Sequence, residues 1–150
     1  MAVTTTSSLE EGGILSVSRT AENLPQTTTT SYFTISSGDF SSPAIELVGV
    51  VGTADTAIGA VNTNFRLEHS TQGDMCGNLD IISDAQFTTY SITGAIATAM
   101  VDTAPSLMMG STQLLFDGDI QATTDASTTG TTSWILYYRK LQPDALVVAV

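Results

Sequence analysis

Apolar residues in this chain come in short bursts, about ten residues apart, each closed by Gly, Asp or Ser; that spacing leaves room for strands and little for helices. The two richest bursts, Ala44-Ile45-Glu46-Leu47-Val48-Gly49-Val50-Val51 and Trp134-Ile135-Leu136-Tyr137-Tyr138, are each the length of a strand. Thr and Ser fill much of the sequence between the bursts. Thr is β-branched and suits the pleated, half-buried surface of a sheet better than a helix. The longest nearly uncharged apolar runs, around Ala95–Val101 and Ala145–Val150, fall far short of the ~20 residues of a membrane helix. The opening MAVTTTSSLEEGG has no basic region and no apolar core, so no secretory signal is expected in it. The expected fold is all-β: an antiparallel β-sandwich or jelly roll of about eight short strands.

A chain of 150 residues with 42% hydrophobic residues suits one domain. Residues 1–18 read as an N-terminal arm and possible first strand, and residues 19–150 as a single sandwich whose tail is 142–150. Charged residues supply only 13% of the chain, about half the usual share. Four Lys and Arg against fifteen Asp and Glu give a formal charge of −11. Binding to nucleic acid through phosphates, or to an anionic membrane surface, needs clustered cations, so both are excluded as expectations. Cys76 stands alone, which rules out an internal disulfide and a multi-cysteine zinc site.

Individual strands follow from alternation. Gly13–Ser18 is expected as a first strand, Tyr32–Ile35 as another with Phe33 and Ile35 on one face and Tyr32 and Thr34 on the other. The near-continuous apolar run Ala44–Val51 predicts a strand covered on both sides. Thr53–Val61 is expected as a further short strand with a turn. Asn64–His69 alternates cleanly, with Phe65, Leu67 and His69 together. Met75–Ile82, with a bulge at Gly77, Thr88–Thr93, Gln113–Phe116, Ile120–Thr124 and Thr132–Tyr138 complete the set, and Ala95–Met100 reads as strand or loop. Ile120–Ala126 is expected to pair with Thr131–Tyr138 as a hairpin across Ser127-Thr128-Thr129-Gly130, the glycine supplying positive φ.

Catalytic chemistry finds few residues. His69 is the one histidine, so a two-histidine metal site within one chain is excluded, and no nucleophile-elbow pattern surrounds any serine. Cys76, between Met75 and Gly77, reads as a small buried hydrophobe. Asp117 with Asp119, and Asp80 with Asp84, are the carboxylate pairs available to a glycosidase or a calcium loop, though both sit where turns place Asp anyway. No cofactor is expected. The stronger signal is for association. Trp134, Leu136 and Tyr138 share one face of their strand, Ile135, Tyr137 and Arg139 the other, and the tail carries Leu146, Val147 and Val148. These six apolar positions (Trp134, Leu136, Tyr138, Leu146, Val147, Val148) are the candidate subunit or core contacts.

Several stretches resemble a family of small structural proteins of tailed bacteriophages: RTAENLPQTTTTSYFTISSGD (Arg19–Asp39), IELVGVVGTADT (Ile45–Thr56), DMCGNLDI (Asp74–Ile81), TYSITG (Thr89–Gly94) and IQATTDASTTGTTSWILYYRKL (Ile120–Leu141). They occur in order over residues 19–141, and the order is more specific than any one motif. The sequence departs from the family pattern at Asp39, where a second glycine is usual, at the inserted SSPA before Ile45, and at Gly77-Asn78 after Cys76. The resemblance implies a non-enzymatic virion component, a head decoration or cement protein that binds the major capsid protein on the outer surface of the phage head, often as a homotrimer, and is in the host cytoplasm before assembly. A tail, neck or fibre-attachment subunit is the alternative within that class. A carbohydrate-binding sandwich with Trp134 or Tyr138 stacked on a sugar is the alternative outside it. The arm Ala2–Gly13 is expected to order on the capsid.

Overall fold

The alternation in the sequence becomes eleven strands in the computed structural model, which describes residues 13–38 and 42–150. They are β1 (Leu15–Asn23), β2 (Thr29–Ser37), β3 (Ala44–Ala54), β4 (Asn64–His69), β5 (Gly73–Asp74), β6 (Leu79–Asp80), β7 (Thr89–Ser91), β8 (Gln113–Phe116), β9 (Gly118–Thr124), β10 (Thr131–Lys140) and β11 (Ala145–Ala149). Among the described residues there is no helix. One sheet runs β1-β10-β3-β7 with β8 also on β3, and the other runs β11-β2-β9-β4-β5 with β6 also on β4. Every pairing between strands is antiparallel.

The pairing is nested. β1 takes β10, β2 takes β9, β3 takes β7 and β8, and β4 takes β5 and β6. A long antiparallel ribbon rolled into two facing sheets gives this order, which is the winding of a jelly roll. The strand count exceeds the expected eight because two strands of the roll are split, into β5/β6 and β7/β8, and β11 is added beside β2. Each outer connection crosses from one sheet to the other, so the core lies between them.

That winding overturns the expected hairpin. β9 belongs to one sheet and β10 to the other. Ile120 and Ala122 of β9 and Trp134, Leu136 and Tyr138 of β10 are all buried, and placing both strands in opposite sheets turns both apolar faces into one core. Residues 125–130 therefore form an arch. Gly59 N–H donates to the Thr129 carbonyl (3.0 Å) and Leu24 N–H to that of Gly130 (3.1 Å). Gly130 does hold a positive φ of 134°, and a Cβ there would strike Ile58 Cδ1 at 2.6 Å.

Tyr32 also departs from its expected face. The register of β2 against β9 shifts between Ser31 and Phe33, leaving Tyr32 as the extra residue of a bulge, so Tyr32 and Phe33 both turn inward. Thr53 and Ala54 finish β3, and no separate strand follows, because Asp55 N–H bonds Thr131 and Ile58 N–H bonds Asp84 instead of a ladder. Of Met75–Ile82 only Leu79–Asp80 (β6) is strand, and the two residues of β5, Gly73–Asp74, precede it. At Gly77 the chain passes close to residues 97–99, with Gly77 N–H on the Thr98 carbonyl at 2.8 Å. Ala95–Met100 is loop apart from one isolated bridge, Ala99 to Gly77.

β3 is covered on both sides as its composition implies. Its inward face carries Ile45, Leu47 and Val50. On the other side the segment after β7 lies against it: Met109 N–H donates to the Val48 carbonyl (2.9 Å), and a Cβ on Gly49 would collide with the Leu107 carbonyl. At the centre of the core the Trp134 indole stacks on Phe65 (5.5 Å between centroids) and Tyr90 (6.1 Å), with Tyr32 tilted against it (6.2 Å).

Candidate interaction surfaces

The residues singled out for chemistry hold the structure together. His69 is 2% exposed at the end of β4. Its Nε2 lies 3.0 Å from the Phe116 carbonyl, while Nδ1 accepts from the N–H groups of Thr71 and Gln72 at 3.3 Å each. Those partners assign the neutral tautomer protonated on Nε2. The ring thereby ties the β4–β5 turn to the end of β8. Cys76 is fully buried, accepts from Leu67 N–H at 3.3 Å, and burial pushes its thiol up to about 11. Asp119 accepts from the hydroxyls of Ser31 (2.6 Å) and Thr34 (2.8 Å) across β2. Asp80 takes Thr63 and Ile82 N–H groups. Asp84 takes the Tyr90 hydroxyl at 2.7 Å, and burial holds its carboxyl above the usual range. Among the described residues no three His, Cys, Asp or Glu side chains come together as a metal cage.

The interface candidates divide. Trp134, Leu136, Tyr138 and Val147 are each at most 1% exposed and lie in the core, so they offer nothing to a partner subunit. Neither Trp134 nor Tyr138 can stack on a sugar from there, and the glycan platform is withdrawn. Leu146 stays 43% exposed and Val148 half-exposed on the outside of β11. The capsid-binding arm Ala2–Gly13 lies, except for Gly13, outside the described residues, as does the loop at Asp39.

The two outer faces of the sandwich differ in chemistry. On the sheet containing β2, β9 and β4, hydroxyls and charges bond one another: Thr29 to Thr123 (2.9 Å), Arg66 to Glu68 (3.1 Å) and Arg66 to Asp74 (3.0 Å). On the opposite sheet Ile135 sits across from Val51, Tyr137 across from Gly49 beneath Leu107, and Leu114 across from Glu46. Leu107 (52%), Leu114 (50%), Phe116 (44%) and Ile135 (37%) are all exposed. One ion pair, Arg139–Glu46 at 3.3 Å, crosses this apolar face. Sequence reasoning found Ile135 and Tyr137 and missed Leu114 and Phe116. Their signal was in QLLF: a strand with three large residues in succession must show some of them outward once Leu115 is buried.

β8 pairs with β3 on one side only, and on its other side the Gln72 carboxamide stands in for a neighbouring strand. Gln72 Nε2–H donates to the Leu114 carbonyl (2.9 Å), and Oε1 accepts from Phe116 N–H (2.8 Å). A ladder edge satisfied in this way no longer templates another chain. Gln72→Ala is expected to cost about 1 kcal/mol and to speed amide exchange at Phe116 by roughly tenfold. Unchanged exchange at Phe116 would remove this role.

No family model, curated protein or solved structure matches the chain.

Proposed function

We propose that the chain is a non-enzymatic virion structural protein that lays the apolar outer face around Ile135, Leu107, Leu114 and Phe116 against the major capsid protein and bridges neighbouring capsomers. The observation that carries this reading is the set of large apolar side chains, Leu107, Leu114, Phe116 and Ile135, left exposed on the outer face of the β10-β3-β8 sheet beside the Arg139–Glu46 ion pair, where β2, β9 and β4 of the other sheet turn hydroxyls and charges outward. Large apolar side chains left exposed on one face fit a contact with another macromolecule. The ordered resemblance over residues 19–141 supplies the class of that macromolecule. The net charge of −11 suits the outside of a shell and opposes a place against the genome.

The test adds purified protein to undecorated capsids. Saturable binding with a rise in the shell's thermal transition is expected. The Leu114→Asp, Phe116→Asp double variant, both positions being exposed, should keep its fold and lose at least tenfold in affinity. Absence of saturable binding by the parent chain would overturn the reading. Gold-labelled protein imaged on whole particles separates the head from the tail or neck.

A further inference from the structure

Phe87 carries the most exposed large apolar side chain among the described residues, at 72%, and its backbone opposes the placement. Its φ is +72°, in the left-handed region where a bulky side chain crowds the following carbonyl and glycine or asparagine is the usual occupant. Ser83, in the same loop, is also left-handed, with a φ of +57°. The loop between β6 and β7 is held in this shape by bonds to the end of β3 and the segment after it. Phe87 N–H donates to the Ala54 carbonyl (2.8 Å), Ala54 N–H to that of Thr88 (2.9 Å), and Ser83 N–H to that of Gly59 (3.1 Å). Ile58 N–H donates to the Asp84 carbonyl (2.8 Å), and the Gln86 carboxamide to that of Asp55 (2.8 Å). A strained aromatic residue that a rigid frame holds out in water is placed for recognition, not for packing.

Phe116 lies opposite Ala44 at the start of β3, whereas Phe87 is bonded to Ala54 at its end. β3 has 11 residues, so the two rings stand roughly 30 Å apart. Charge selects the occupant. Asp55, Asp80 and Asp84 stand on the loops at the Phe87 end of the sandwich, and none of the chain's four cations does. Arg19 is buried over Tyr32, Arg66 and Arg139 are paired with acids, and Lys140 ends β10 opposite Ile45. An aromatic ring rimmed by carboxylates fits an apolar socket rimmed by Lys or Arg, and is repelled by a second copy of this acidic chain and by an anionic bilayer. We infer that Phe87 is a second foothold on the capsid, its ring seated in a basic-rimmed apolar socket on a different subunit from the one that meets Leu114 and Phe116. This second contact rests on the capsid reading above and supplies the separation that bridging requires.

The test compares Phe87→Asn with the parent chain on undecorated capsids. Asn tolerates a positive φ, so the variant's own thermal transition should stay in place or rise by about 2–4 °C. The variant should bind the capsid at least roughly tenfold more weakly, as for the loss of an aromatic anchor. At saturation it should raise the shell's thermal transition by less than about half as much as the parent, because one foothold no longer bridges two subunits. Parent affinity should fall as sodium chloride is raised, and affinity that climbs with salt would remove the basic rim. Undiminished binding by Phe87→Asn overturns this contact and leaves the capsid reading standing, whereas absence of binding by the parent chain overturns both. A drop of more than about 4 °C in the variant's own transition gives the ring a packing role. Binding of the parent to phosphatidylcholine vesicles that Phe87→Asn abolishes gives it to a bilayer. Either of these two results also overturns the contact.

Discussion

Trp134→Ala is expected to lower the unfolding free energy by about 4 kcal/mol, read by chemical denaturation followed in the far-UV. The indole is 1% exposed, stacked on Phe65 and Tyr90 and tilted against Tyr32, so its removal strips aromatic contacts from both sheets at once. Its Nε1–H donates to Thr132 Oγ1 (2.9 Å), which loses that partner. The surrounding chain is poorly placed to collapse into the gap. Gly52 lies directly against the ring, where a Cβ would meet three indole carbons at 2.6–2.7 Å. For a domain holding about 5–15 kcal/mol in total, the variant sits near the limit of folding at ambient temperature. Gly52→Ala in the parent chain should overpack the same spot at a cost of about 1–3 kcal/mol. Combined with Trp134→Ala, the added methyl enters the vacated space, and the double variant should lose less than the sum of the singles. A loss below about 1.5 kcal/mol for Trp134→Ala would mean that the indole is not the centre of the core.

The sequence made individual strands legible because burial on one side imposes a period of two. Asn64–His69 alternates without exception and forms β4 with Phe65, Leu67 and His69 buried. Ala44–Val51, apolar on both faces, is covered on both faces. Pairing was less legible, because it depends on where the roll sends each strand. Ile120–Thr124 and Thr131–Lys140 have the local chemistry of a hairpin, down to the positive φ at Gly130, and still enter opposite sheets. What separates a hairpin from an arch here is the set of distant carbonyl contacts of the 125–130 connection, at Gly59 and Leu24. Bulges were hidden for a similar reason. Nothing in Ser31-Tyr32-Phe33 announces that Tyr32 will turn inward beside Phe33. Of the association-prone residues, the strand around Trp134 was visible by hydrophobicity, but hydrophobicity does not say whether a face meets its own second sheet or another molecule. Leu136 and Tyr138 met the second sheet. Leu114 and Phe116, in a four-residue strand, kept their outward positions.

Raising the pH through 10 to 12 is expected to unfold the protein cooperatively, because its buried tyrosines resist ionisation. Tyr32 and Tyr138 are fully buried and Tyr90 nearly so. Burial pushes the Tyr32 phenol up to about 12, with the Arg19 guanidinium 4.1 Å above the ring offsetting part of the effect. Burial also raises Tyr90, reinforced by Asp84, which accepts its hydroxyl, and burial raises Tyr138. In the unfolded chain a tyrosine releases its proton near pH 10. Between that value and about 12 the unfolded chain has lost a proton that folded Tyr32 still holds, so stability is complete below pH 10 and falls as pH rises. A displacement of about two units corresponds to roughly 3 kcal/mol from Tyr32 alone. The Tyr32 hydroxyl is buried without a hydrogen-bond partner, so Tyr32→Phe should change neutral stability by less than about 1 kcal/mol. It leaves the ring beneath Arg19 and should move the alkaline midpoint upward. Most of the phenolate absorbance, from the three buried rings of four, should change together with the far-UV dichroism in the parent chain. If most of the phenolate signal appears near pH 10 while the dichroism stays native, the three rings are open to water and the enclosed core described for them is wrong.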